Sequence, residues 1–124
     1  DFRVIKNGEE KFSTSDCYII HQRQRKWLKT ELEKPRTKPV IVMTHHMPSW
    51  EYISLQYRNT SNINAGFAAH CDDLLALEPD YWVFGHTHAA MNAQRGKTRV
   101  LCNPFGYSHE HGVNGFNPYL YFEV

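Results

Sequence analysis

Tyr81-Trp82-Val83-Phe84-Gly85-His86-Thr87-His88 is a run of four aromatic or β-branched residues halted by a glycine and followed by two histidines with one residue between them. An apolar run of this kind predicts a strand buried in a parallel sheet, and open α/β sheets place their ligands at the carboxyl ends of such strands. On a turn, two imidazoles so spaced can face one point; on a continuing strand, residues two apart share a face. His86 and His88 are therefore expected to converge in either case. Gly85 lets the backbone turn or approach closely just before them, and the Thr87 hydroxyl can orient a neighbouring ring.

A second stretch repeats the arrangement. Val40-Ile41-Val42-Met43-Thr44 is short and apolar like a central parallel strand, and it too runs into histidines, His45 and His46. Adding His45 to His86 and His88 gives three neutral nitrogen donors, a set suited to Zn, Mn, Fe, Ni or Cu. A lone histidine is ordinarily a core or surface residue. Two strand-terminal clusters in a chain with eight histidines point instead to a metal site or its remnant.

Outward from these strands, Phe2–Ile5 reads as a short strand and Lys6–Glu10 as a turn built on Asn-Gly. Ser13 and Asp16 have capping-box spacing and introduce a helix from Cys17 to about Glu33. Ile20, Trp27, Leu28 and Leu32 can share one of its faces, while Arg23, Arg25, Lys26 and Lys29 crowd the other, as a contact surface or a solvated face. Pro35 and Pro39 bracket the connection to the first histidine strand. Met47–Ile63 has no sustained period and reads as a long loop, whose Trp50, Tyr52 and Tyr57 either line a pocket rim or cover the sheet end. Phe67, Cys71, Leu74 and Leu75 predict a covering helix over Asn64–Leu77, with Asp72 and Asp73 on its flank and Glu78-Pro79-Asp80 breaking it. Arg95-Gly96-Lys97 marks a tight turn before a strand at Thr98–Cys102. Asn103–Tyr107 is a turn, Ser108–Asn117 is irregular, and Tyr119–Val124 is a last strand. Alternating helices and strands argue for an α/β layered sandwich with the ligand-bearing strand ends on one side.

The 124 residues fit one domain, 1–124, able to bury a core without a metal or disulfide staple. Lys+Arg 14 against Asp+Glu 13 implies no partner by charge. No basic run suggests nucleic-acid binding, and no apolar stretch is long enough to span a bilayer, so a cytoplasmic protein is expected. Cys17, Cys71 and Cys102 are an odd number at wide spacing and read as small core residues. The opening on Asp1 suggests processing, excision or trimming from something longer. No Gly-x-Ser-x-Gly elbow, reactive-cysteine setting or glycine-rich phosphate loop is present.

Val40–Ser49 (VIVMTHHMPS), Tyr81–His88 (YWVFGHTH) and Arg99–Tyr107 (RVLCNPFGY) together resemble the carboxyl-terminal half of the calcineurin-like metallophosphoesterases, in family order. The resemblance implies part of a four-layer αββα sandwich and hydrolysis of phosphomonoesters or phosphodiesters by two divalent ions, Mn, Fe or Zn, about 3.5–4 Å apart. It makes His45 and His86 ligands of one metal and His88 a ligand of the other. His45 is preferred to His46 because it directly follows the strand; His46 is then the candidate catalytic residue, touching the phosphate or backing a ligand.

The family's amino-terminal motifs, Asp-x-His, Gly-Asp with a downstream Asp, and Gly-Asn-His followed by Asp or Glu, have no match here. Asp72, Asp73 and Asp80 read as helix-surface and turn residues rather than as substitutes. The chain alone is therefore expected to be inactive, binding at most one ion weakly. Its expected partners are a phosphoester substrate and either the missing amino-terminal half or a second copy in a homodimer. A non-catalytic interaction module or split subunit that keeps the fold is the alternative, and metal binding for structure or buffering a poorer third.

Overall fold

The computed structural model describes residues 3–59 and 61–124, and the chain divides into two compact units, Asp1–Lys34 and Pro35–Val124. In the first unit, β1 (Lys6–Asn7) and β2 (Glu10–Lys11) form an antiparallel hairpin. The strand lies inside the stretch expected to be a turn. Gly8, at φ +66°, and Glu9 suffice as a two-residue loop, which leaves the flanking residues free to pair. Of the expected strand Phe2–Ile5, Phe2 lies outside the described residues, and Arg3 and Val4 are in a turn.

Helix α1 spans Thr14–Leu32, starting three residues earlier than the periodicity indicated. Its capping box is present: the Asp16 N–H donates to Ser13 Oγ at 3.1 Å, and the Ser13 N–H donates to Asp16 Oδ2 at 2.8 Å. The less exposed stripe runs through His21, Arg25, Leu28 and Leu32. Ile20 and Trp27, expected on it, are 42% and 63% exposed. Only Leu28 and Leu32 belong to both stripes, because so few apolar residues leave a helix's rotation weakly specified. Arg23, Lys26 and Lys29 are exposed, as on a solvated face. Cys17 is exposed rather than a core residue, while Cys71 and Cys102 are buried thiols.

The second unit is built on four strands, β3 (Ile41–Met43), β4 (Tyr81–Phe84), β5 (Met91–Arg95) and β6 (Thr98–Cys102), in the order β3-β4-β6-β5. β3, β4 and β6 are parallel, with Ile41 opposite Tyr81 and Tyr81 opposite Arg99, while β5 is antiparallel to β6. This mixed α/β sheet is the fold fragment expected of a metallophosphoesterase. Val42, Trp82, Phe84, Val100, Leu101 and Cys102 form its core. Trp82 is fully buried, and its indole N–H donates to Thr44 Oγ1 at 2.9 Å, so the one polar atom of the ring is satisfied.

Three elements differ from expectation. β5 was not foreseen because Met-Asn-Ala-Gln-Arg is mostly polar; it is an edge strand whose residues alternate between half-buried and exposed, closed onto β6 by Gly96 at φ +56°. The helix expected over Asn64–Leu77 is two short ones, α2 (Ser61–Asn64) and α3 (Asp72–Leu75). Between them the backbone pairs with the loop after β3. The Met47 N–H donates to Phe67 O at 3.0 Å, and the N–H groups of Ala69 and Cys71 donate to Met47 O and Pro48 O, each at 2.8 Å. Groups committed to that strand-like bridge cannot also serve a helix. Cys71, Leu74 and Leu75 are nonetheless buried as expected, while Phe67 is exposed. The closing segment Tyr119–Val124 is not a strand; it is held by side chains, with the Tyr81 hydroxyl donating to Glu123 O at 2.7 Å and Phe122 stacking on Tyr81.

Trp82→Ala should lower the unfolding free energy by about 3–5 kcal/mol, since it opens a cavity between β3 and β6 and removes the hydrogen bond that the Thr44 hydroxyl accepts. Urea unfolding followed by far-UV circular dichroism checks this.

Candidate metal centre

Because β3 and β4 are parallel neighbours in register, both end at the same edge of the sheet. The ladder continues one step past them: the Thr44 N–H donates to Val83 O at 3.0 Å, and the Gly85 N–H donates to His45 O at 3.1 Å. His45 and His86 are thereby held side by side, with ring centroids 4.6 Å apart. His46 completes a triangle, 4.9 Å from His45 and 4.8 Å from His86. The Thr44 hydroxyl that accepts from Trp82 donates in turn to His46 O at 2.8 Å, so the core indole and the histidine loop share one oxygen.

The turn that presents His86 is made by His86 itself. Its φ is +63°, and the Thr87 N–H closes back on Gly85 O at 2.7 Å. The left-handed region costs a non-glycine residue roughly 1–2 kcal/mol, and such residues gather where function holds them. Gly85, expected to allow a close approach, is under no such demand: a Cβ there would sit 3.9 Å from His45 O, an ordinary contact.

The potential ligand atoms of His45, His46 and His86 all lie within 4.8 Å of one another, and all three side chains are exposed, so an ion can reach them from solvent. Phe67 walls one side, its ring 5.0 Å from that of His86. His88 is not one of the three. Its Nδ1 faces Glu110, 2.8 Å from Oε2 and 3.1 Å from Oε1, and Tyr107 stands edge-on to its ring at 4.6 Å. The Tyr107 N–H and the His88 ring hold the Glu110 carboxyl below the usual range.

The loop after β3 carries two single 3₁₀ turns, Trp50–Tyr52 and Leu55–Tyr57. Trp50 stacks on His70 with rings 4.8 Å apart and nearly parallel. Ser49 Oγ donates to Asp72 Oδ1 at 2.7 Å, and Arg95 bonds the same oxygen at 2.7 Å and Glu51 at 3.2 Å, which ties the loop to α3 and β5. Asp72 is thus part of a scaffold rather than of the histidine triangle. Burial works to raise its pKa, and the Ser49 hydroxyl and Arg95 guanidinium outweigh that and lower it. Asp80 accepts the Val40 N–H at 2.8 Å, fixing the start of β3.

A family model for calcineurin-like phosphoesterases matches residues 4–90. The chain belongs to this family. It is also 33% identical over 130 residues to "Uncharacterized protein L509" of Acanthamoeba polyphaga mimivirus, an alignment covering 98% of the chain and 42% of that protein. The chain therefore spans less than half the length of this relative. No solved structure matches it.

Calcineurin-like phosphoesterases generally bind two divalent metals, and the donor set fits one such ion. Tetrahedral zinc with bonds of about 2.0–2.1 Å to nitrogen requires ligand atoms roughly 3.3 Å apart, so three rings already within 4.8 Å need only small rotations to close. Among the described residues no carboxylate joins the three imidazoles. Of the residues singled out in the sequence, His45, His46 and His86 are brought together, and His88 is placed on a separate partner. Glu110 was missed. It lies in a segment of irregular composition, and nothing local marks a carboxylate that meets its histidine 22 positions away.

His86→Gly should raise the stability of the metal-free chain by about 0.5–1 kcal/mol, the relief of left-handed strain exceeding glycine's entropy cost, while weakening zinc binding in calorimetry. Asp72 has a lowered folded-state pKa, so its stabilisation is complete above the unfolded value near 4 and disappears as pH falls through the lower folded value. Urea unfolding at pH 5 and pH 3 should accordingly reveal a smaller acid loss in Asp72→Asn than in the wild type.

Proposed function

We propose that this chain supplies one side of the active centre of a metal-dependent phosphoesterase acting on phosphomonoesters or phosphodiesters. The observation that carries the reading is the histidine triangle at the ends of β3 and β4, in a chain of this family. His45 and His86 hold one divalent ion, Mn, Fe or Zn, and His88 contributes to a second. When bound, the ions supply a hydroxide nucleophile and neutralise the phosphoryl oxygens. His46 stands beside both first-ion ligands, where its ring touches a phosphate oxygen of the substrate or steadies a neighbouring imidazole. Phe67 keeps water from one flank of His86.

Three imidazoles divided between two ions do not complete a dinuclear centre, and the carboxylates that bridge and complete it are those of an amino-terminal half. The chain alone is then inactive, holding at most one ion weakly. β3, at the sheet edge, carries exposed Ile41 and Met43, 42% and 78% accessible, as expected of a strand that a further piece of protein covers. That exposure equally supports a second reading, a non-catalytic module or split subunit whose β3 edge binds a partner or another copy. Three cysteines, an odd number at wide spacing, suit a reducing compartment, the cytoplasm.

Supplying the amino-terminal half together with Mn should yield hydrolysis of an aryl phosphate ester, at least 100-fold reduced in His86→Ala. Two folded, metal-loaded halves without turnover would sink the phosphoesterase reading. Sedimentation equilibrium separates the alternative, which requires self-association or a partner through β3.

A further inference from the structure

His88 is held by a small structure of its own, made from residues beyond those the family model matches. The carboxylate of Glu110 faces His88 Nδ1 with both oxygens, at 2.8 and 3.1 Å. It is itself fixed: the Tyr107 N–H donates to Oε2 at 2.6 Å, and the Glu110 N–H returns to Tyr107 O at 2.9 Å across a 3₁₀ turn, Ser108–Glu110. Gly106, at φ +72°, lies against this group. A Cβ there would come within 2.7 Å of both Glu110 Oε2 and Asn114 Nδ2. Asn114 donates to Pro104 O and Phe105 O at 3.1 and 3.0 Å and accepts the Ala90 N–H on its own carbonyl at 2.8 Å, binding the segment to the chain two residues after His88. A surface ion pair between long, mobile side chains has none of this support.

We propose that Glu110 is the positioning residue for His88: its carboxylate keeps the proton on Nδ1 and presents Nε2, unprotonated, as the ligand atom for a divalent cation. A neutral imidazole has one donor and one acceptor nitrogen, and which is which follows from the hydrogen bond the ring makes. A carboxylate can only accept from Nδ1–H, so the acceptor lone pair is left on Nε2, and the negative charge behind the ring strengthens that nitrogen as an electron-pair donor to a metal. The Tyr107 ring packs edge-on against the same imidazole, 4.6 Å away. The inference rests on the reading of His88 as a ligand of the second ion, but its first test needs no metal.

Long-range ¹H–¹⁵N correlation spectra of the whole chain, recorded above the imidazole titration, should place the His88 proton on Nδ1 in the wild type. Glu110→Ala should return the ring to the Nε2–H form favoured by an unconstrained histidine side chain, with circular dichroism unchanged, and Glu110→Asp should partly restore Nδ1–H. A His88 tautomer indifferent to Glu110→Ala overturns the proposal and leaves the phosphoesterase reading standing. With the amino-terminal half supplied, calorimetry with Mn should then give a 10–100-fold weaker second ion in Glu110→Ala, and an intermediate loss in Glu110→Gln, which keeps an acceptor but not the charge. Should His88→Ala leave both ions bound as in the wild type, His88 is not a ligand, and it is the underlying reading that fails.

Discussion

The pairing of β3 with β4 is the constraint on which the second unit depends. Parallel register brings two strand ends to one edge, and because a histidine stands two residues past the end of each strand, the pairing is also what assembles the histidine triangle. Trp82 anchors it. A ring of that size, fully buried at the centre of β4, contributes a large share of the hydrophobic stabilisation, and its one polar atom is spent on Thr44, the residue between β3 and its histidines. Core packing and site geometry thus meet at a single hydroxyl, which donates its own hydrogen bond to the His46 carbonyl.

Much of this was legible in the residues. Tyr-Trp-Val-Phe has no plausible place except a buried strand, and the capping box of Ser13 and Asp16 is a local pattern with a local energetic basis. What was not legible depended on partners distant in the chain. The helix expected after Asn64 has acceptable periodicity over its whole length, yet the loop from β3 claims its middle backbone groups. β5 is polar because it is an edge, and only the neighbouring β6 makes it a strand. Tyr119–Val124 has the composition of a strand but no ladder to join among the described residues.

The site followed the same division. Histidines at strand ends could be picked out by position, and three of the four gather as a triangle. The backbone that presents them could not. His86 takes the positive φ that the neighbouring glycine could have supplied, so conformational strain falls on the histidine itself. Glu110 and its glycine-lined cradle were equally hidden, since their meaning depends on a contact with His88 that no periodicity encodes.

The contrast among the three thiols has a practical side. Cys71 and Cys102 are buried, and burial pushes the Cys102 thiol up to about 11, where almost none of it is the reactive thiolate at neutral pH. Cys17, on the exposed flank of α1, is left as the single group a maleimide reaches. The native chain can therefore carry one fluorophore or spin label in its first unit without any engineered cysteine, and with every histidine of the second unit untouched.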